Sequence, residues 1–318
     1  MLSLSNPAAI HSIDHFTLAV PALDVAKTFF SAFGLVVEER SDELLLRTKT
    51  DEHVWGRVIV GDTKHLAYLT FNCYEEDFVT IAAQVMETRA VMTAPHPTAR
   101  YRDGLWFQDP EGNLLQLRVG PKKTPDVRAE SLLTRSERVD RGVTNRTDFE
   151  SVHPTRLSHV LLFAADVDAQ VRFYARALGL GLSDRSADII AFMHGRHGSD
   201  HHLVAFAKSH RRGWHHSSWD VPDVEHVGRG WMQMQASGFT RAWGLGRHVL
   251  GSNYFCYIED PWGSFCEYSA EIDFVPQGFA WPAGDHPPED SLYLWGPPPL
   301  PNFVTNTEAS TTSPRAPE

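Results

Sequence analysis

The strongest constraint on this chain is that it is written twice. SIDHFTLAV (12–20) alternates like a half-buried strand and runs into the helix-like LDVAKTFFSAFGL. RLSHVLLFA (156–164) begins the same way and runs into VDAQVRFYARALGL. His15 stands 14 residues before Phe29, and His159 stands 14 before Phe173. Each half closes on a strand, an Asp-Pro-x-Gly turn and another strand: LWFQDPEGNLLQL (105–117) and FCYIEDPWGSFCEY (255–268). Proline fixes φ in such a turn and glycine accepts φ > 0.

Within the second half, strands are expected at HVLLFA, GLSDRS, DIIAFMHG and HHLVAFAK, with a helix over 167–178. HHSSWDV, a helix over 223–237, TRAWGL, NYFCYIE and SFCEYSA then repeat the order. This is βαβββ twice per half and four times per chain. The expected class is α+β, with two curved, barrel-like mixed-sheet domains. The expected limits are 1–120 for the first domain, 121–155 for a charged linker with one short helix, 156–275 for the second domain and 276–318 for a Pro-rich tail. SLYLWGPPPLPNF has the aromatic content to pack on the body, covering a cavity mouth or a subunit contact, whereas TNTEASTTSPRAPE is expected to be mobile.

At 318 residues, 42% hydrophobic and 22% charged, the chain can bury two cores. A net charge of −11 argues against nucleic acid and anionic membrane as partners. No apolar run reaches the roughly 18 residues of a membrane span, and the first residues lack a secretory pattern. Three cysteines without CxxC spacing suit a reducing, cytoplasmic setting. Histidine is the outlier: 17 in all, eight of them between His194 and His226.

His159, His216 and Glu267 fall on three strand-like segments of the second half. Two imidazoles and a carboxylate on one face of a metal leave open positions, as in non-haem iron oxygenases. Any one of these histidines alone is more often structural. The doublets His201/His202 and His215/His216 are ambiguous, because adjacent strand residues face opposite ways. Glu267 lies seven residues after Asp260 of its turn, and Gln116 seven after Asp109. His216 lies 51 before Glu267, and His65 lies 51 before Gln116. On this count His15, His65 and Gln116 are the twins of His159, His216 and Glu267. The first half has lost the carboxylate, so its site is expected to be empty and its role structural.

GRHVLGSNYFCYIEDPWGSFCEY carries His248, then Tyr257 nine residues on, then Glu267 ten further, downstream of HHLVAF. With the triad, this order resembles the vicinal oxygen chelate superfamily, and within it the two-domain type I extradiol ring-cleaving dioxygenases, over roughly residues 10–275. The resemblance implies Fe(II), ahead of Mn(II), on His159, His216 and Glu267, with an aromatic vicinal diol and O2 as substrates. It selects His202 over His201 as the pocket histidine that stabilises reduced oxygen and acts as general acid. It gives His248 and Tyr257 hydrogen bonds to the bound substrate oxygens. Family members are commonly homo-oligomers.

Strand alternation adds Phe255 and Phe265 to the cavity side. Phe192, Trp214 and Tyr254 are candidates for an aromatic wall, with Asn253 and Ser252 shaping the entry loop. The remaining histidines carry no assigned role. Two alternatives share the fold: a glyoxalase-like isomerase or lyase, which completes its metal sphere with a second Glu from another module, and a non-enzymatic resistance-type binder, usually a short single module. Oxygen consumption and metal content discriminate among them. No isolated arginine is placed to pair with a substrate carboxylate, although Arg211, Arg212, Arg241 and Arg247 are possible, and this favours an uncharged ring.

Overall fold

The computed structural model describes residues 8–128, 145 and 150–309. The first half contains β1 (Ser12–Val20), α1 (Leu23–Ala32), β2 (Val36–Glu39), β3 (Glu43–Arg47) and β4 (Gly56–Val60). It continues with β5 (His65–Cys73), α2 (Glu75–Glu87), β6 (Val91–Met92), β7 (Leu105–Gln108) and β8 (Leu114–Val119). The second half repeats this with β9 (Arg156–Ala164), α3 (Val167–Leu178), β10 (Gly181–Ser186), β11 (Ile190–His194), the short β12 (Ser199–Asp200) and β13 (Val204–Lys208). Its second module is β14 (Gly213–Asp220), α4 (Val224–Ala236), β15 (Ala242–His248), β16 (Tyr254–Glu259) and β17 (Phe265–Ala270). The short β18 (Phe274–Val275), β19 (Gly284–Asp285) and β20 (Tyr293–Trp295) follow. The expected linker helix falls outside the described residues.

The strands form two large mixed sheets, ordered β2-β3-β4-β1-β5-β8-β7-β6 and β19-β10-β11-β13-β9-β14-β17-β16-β15-β20. In both, the first strand of each module pairs with its own last strand in parallel and with the other module's first strand antiparallel. This is the architecture expected from the repeat. Local chemistry sets the ends. Asp166 caps α3 by accepting the Ala169 N–H at 2.8 Å, and Gly179 ends it at φ +72. Asp260 closes its turn by accepting the Trp262 and Ser264 N–H groups at 2.8 and 3.0 Å, while Gly263 takes φ +86.

The halves share one apolar core. Phe33 stacks on Tyr268 with centroids 3.9 Å apart, and the tyrosine hydroxyl donates to Phe33 O. The first half's turn reaches α3, where Asp109 Oδ2 accepts from Gln170 and Tyr174. In the other direction, the buried Lys64 ammonium donates to Ser264 Oγ and lies 3.7 Å from Glu308.

The register corrects one expectation. Across β9, β14 and β17 the aligned residues are His159, Ser218 and Glu267. Across β1, β5 and β8 they are His15, Thr70 and Gln116. Thr70 is therefore the counterpart of Ser218, and the counterpart of His216 is Tyr68, two residues earlier. His65 is exposed at the start of β5. Equal spacing to the closing strand misled because the connection from the module's first strand to that turn is three residues shorter in the first half. In the twin, Tyr68 faces His15 Nε2 at 3.4 Å and accepts from the buried Arg57, while Gln116 Nε2 donates to Tyr101 O and Asp103 O.

Candidate active site

The inner face of the second sheet carries the candidate ligands. His159 and Glu267 flank Ser218 across the register, and His216 lies two residues before Ser218 on the same face. One donor atom from each of the three lies within 4.8 Å of the others, and all three side chains are buried. His159 Nε2 is 3.3 Å and His216 Nε2 3.6 Å from Glu267 Oε2.

The opposite edge of each ligand is held. Ser158 Oγ donates to Asp200 Oδ2 at 2.8 Å, so it accepts the His159 Nδ1–H at 3.1 Å. His215 Nε2–H donates to Phe303 O at 2.7 Å. Its other nitrogen, 2.7 Å from His216 Nδ1, is therefore the acceptor for the His216 Nδ1–H. Burial drives His215 down to about 4 and His216 well below its ordinary value, so both rings are neutral near pH 7. Asn253 Nδ2 donates to Glu267 Oε1 at 3.0 Å. What remains, with no hydrogen-bond partner among the described residues, is the buried pair His216 Nε2 and Glu267 Oε2. Unpartnered buried lone pairs are costly, and a divalent cation satisfies them: two neutral imidazoles and one carboxylate fit an N/O-preferring transition metal.

A cavity of about 380 Å³ opens over these atoms, a size typical of small-ligand sites. His159, His202, His216, His248, Asn253 and Tyr257 line its floor, and Leu161, Ile190, Phe192, Leu250, Leu292 and Phe303 its walls. Burial pushes the Tyr257 hydroxyl well above its usual range, so it keeps its proton, and it donates to His248 Nε2 at 2.9 Å. His248 Nδ1–H donates to Leu292 O at 2.6 Å. His202 packs against His159 with centroids 3.9 Å apart, and burial holds it well below its ordinary value.

Four residues expected on the cavity side do not line it: Trp214, Phe255, Tyr254 and Phe265, the last packed with Phe303. Trp214 is buried in the core between the halves, 5.0 Å from Phe16, because a bulge between Trp214 and His216 breaks the alternation of β14. That bulge also lets His215 and His216 both reach the cavity. Phe255 does share a face with Tyr257, but His248 stacks over it at 4.1 Å and shuts it off from the space. Tyr254 is also absent from the wall; it accepts from Arg247. Ser252 is in the loop before β16 at φ +60 and donates to Asp273. Arg212, Arg241 and Arg247 are engaged with Gly112, Glu259 and Tyr254. Sequence reasoning missed His215, while the tail segment, expected over a cavity mouth or a subunit contact, contributes Ser291, Leu292 and Phe303 to the cavity lining. The doublet signalled His215; the aromatic content of the tail signalled packing but, without periodicity, not which residues face the cavity. The end of the tail, expected to be mobile, is seated as far as Glu308, which accepts the Trp214 N–H at 2.9 Å, and Asn306 is buried.

Residues 156–268 match the Glyoxalase/Bleomycin resistance protein/Dioxygenase superfamily. The chain is 52% identical over 303 residues to metapyrocatechase 2 of Cupriavidus necator, covering 95% of this chain and 93% of that one. Among solved structures it resembles an E323L mutant of homoprotocatechuate 2,3-dioxygenase from Brevibacterium fuscum, with TM-score 0.74, 20% identity and coverage of 95% and 84%. It also resembles a Mn(II)-bound glyoxalase from Novosphingobium aromaticivorans, with TM-score 0.72, 22% identity and coverage of 95% and 99%. At these identities the structural likeness concerns the fold alone.

Proposed function

The chain belongs to the glyoxalase, bleomycin-resistance and dioxygenase superfamily and, within it, to the extradiol ring-cleavage dioxygenases, and from that premise we propose that it uses Fe(II) to open an uncharged aromatic vicinal diol with O2. One observation carries the reading: unpartnered lone pairs of His216 and Glu267 converge with His159 under an apolar cavity that also holds His202 and the His248–Tyr257 pair. His159, His216 and Glu267 would hold the ion. Bound there, it would supply positive charge that acidifies a phenol and an open face for diol and O2.

The chain's own groups would do the rest. Tyr257 keeps its proton on His248, so this pair can rotate a donor toward a substrate oxygen. His202, neutral in the cavity, can take a proton from the diol and return it when the ring opens. The apolar walls lower the local dielectric, which strengthens each of these hydrogen bonds. Among the described residues, Lys208 is the only lysine or arginine lining the cavity; it is half-exposed and 3.4 Å from Asp188. An uncharged ring suits such a wall.

The test is aerobic formation of the coloured ring-fission product from catechol and alkyl-catechols, with protein stripped by a chelator and reloaded with Fe(II) or Mn(II). Product with Fe(II), and none from His216→Ala, is expected. Full activity in His216→Ala would sink the proposal, and activity with Mn(II) alone would overturn the iron assignment.

A further inference from the structure

Asp184, on β10, is surrounded by N–H donors. His201 Nε2 lies 2.9 Å and the Trp281 indole nitrogen 3.2 Å from Oδ2, while His286 Nε2 lies 2.7 Å and the Gly284 amide 2.9 Å from Oδ1. Indole and backbone N–H groups can only donate, so both oxygens accept, an environment that favours the ionised carboxylate. Burial pushes this carboxyl up, but the hydrogen bonds from His201, His286 and Gly284 outweigh it and bring it down to about 2. A carboxylate cannot donate, so His201 Nε2 carries the proton. With its Nε2 proton held by Asp184, His201 has Nδ1 left to accept, and the atom 3.1 Å away is His202 Nδ1. Gly251 runs close over the pair at φ +89; a Cβ there would stand 3.4 Å from His201 Nδ1.

We propose that Asp184 and His201 are positioning residues that fix His202 as its Nδ1–H tautomer, leaving Nε2 bare toward the cavity. Trp281, Gly284 and His286 of the C-terminal strap hold Asp184 in place. The inference rests on the reading above that His202 handles protons beside the diol. A bare Nε2 can accept the diol proton, whereas the other tautomer presents an N–H there and cannot. A carboxylate–histidine pair fixing the tautomer of a working group follows the logic of orienting partners in catalytic and metal sites.

Nitrogen NMR of the metal-free, histidine-labelled full chain reads the tautomer without turnover. His202 is expected to be protonated on Nδ1, and His201→Phe to lose that bias. In Fe(II)-loaded protein, His201→Phe lowers kcat about 10–100-fold, with KM for catechol and iron content near wild type. His201→Gln, whose amide can donate to Asp184 and accept from His202, keeps most of kcat. Asp184→Asn, nearly isosteric, is the second variant should His201→Phe fail to fold, and it is expected to shift the tautomer likewise. His202 protonated on Nε2 in wild type would overturn the inference, as would variants that leave both tautomer and kcat unchanged. An inactive wild-type protein showing the Nδ1–H form would support this chain while sinking the dioxygenase reading.

Discussion

His216 shows how a ligand is prepared before it binds anything. Its Nδ1–H is taken by His215, whose own proton is taken by Phe303 O, so the lone pair on Nε2 has one direction to face. His215→Phe keeps the volume but removes the acceptor. It is expected to weaken Fe(II) binding about 10–100-fold, read by competition with a chelator of known affinity. Unchanged affinity would show that the contact does not orient the ligand. The triad itself was legible in the sequence because strand alternation and the closing turn place Glu267 by counting. His215 was legible only as an ambiguity. Resolving it required the β14 bulge, and nothing in HHSSWDV announces that bulge.

The C-terminal segment behaves as an element although it has little regular structure. Its carbonyls at Leu292 and Phe303 accept from His248 and His215, and Phe303 packs on Tyr257 with centroids 4.9 Å apart. Phe303→Ala opens a void in that cluster and is expected to cost about 3–5 kcal/mol of stability, measured by denaturant unfolding; a loss under about 1 kcal/mol would mean that the segment merely rests on the body. Lys64 couples elements across the halves. It is buried, its charge counteracts the burial that raises the Asp260 carboxyl, and it lies beside Glu308. Lys64→Met leaves those acids uncompensated and is expected to cost about 3 kcal/mol in the same assay. A neutral outcome would show that the bridge between the halves is dispensable.

Across the whole molecule, buried neutral histidines couple folding to pH. Burial, with help from His197, brings His11 from 6.5 down to about 4; burial, with help from His201 and Arg196, does the same for His194. Unfolded, both rings take up protons near pH 6.5; folded, they do so only near 4. Their contribution is complete above the unfolded value and is lost as pH falls from 6.5 toward 4. Near the middle of that window, two groups lower the unfolding free energy by up to about 3 kcal/mol per pH unit. Urea denaturation of the metal-free protein at about pH 7.5 and pH 5.5 checks this, and equal midpoints would overturn it.

The sequence by itself determined the repeat, the strand and helix order, both Asp-Pro-x-Gly turns and the position of Glu267 after its turn. Each of these follows from local periodicity or turn chemistry acting over a few residues. Only the tertiary structure decided that Tyr68 rather than His65 is the counterpart of His216, that Trp214 belongs to the core, that His248 closes off Phe255, and which tail residues, from Pro288 to Val304, line the pocket. Those outcomes depend on loop length, a bulge and contacts between residues far apart in the chain. They are set by which surfaces must be buried together, a condition that no short stretch of sequence contains.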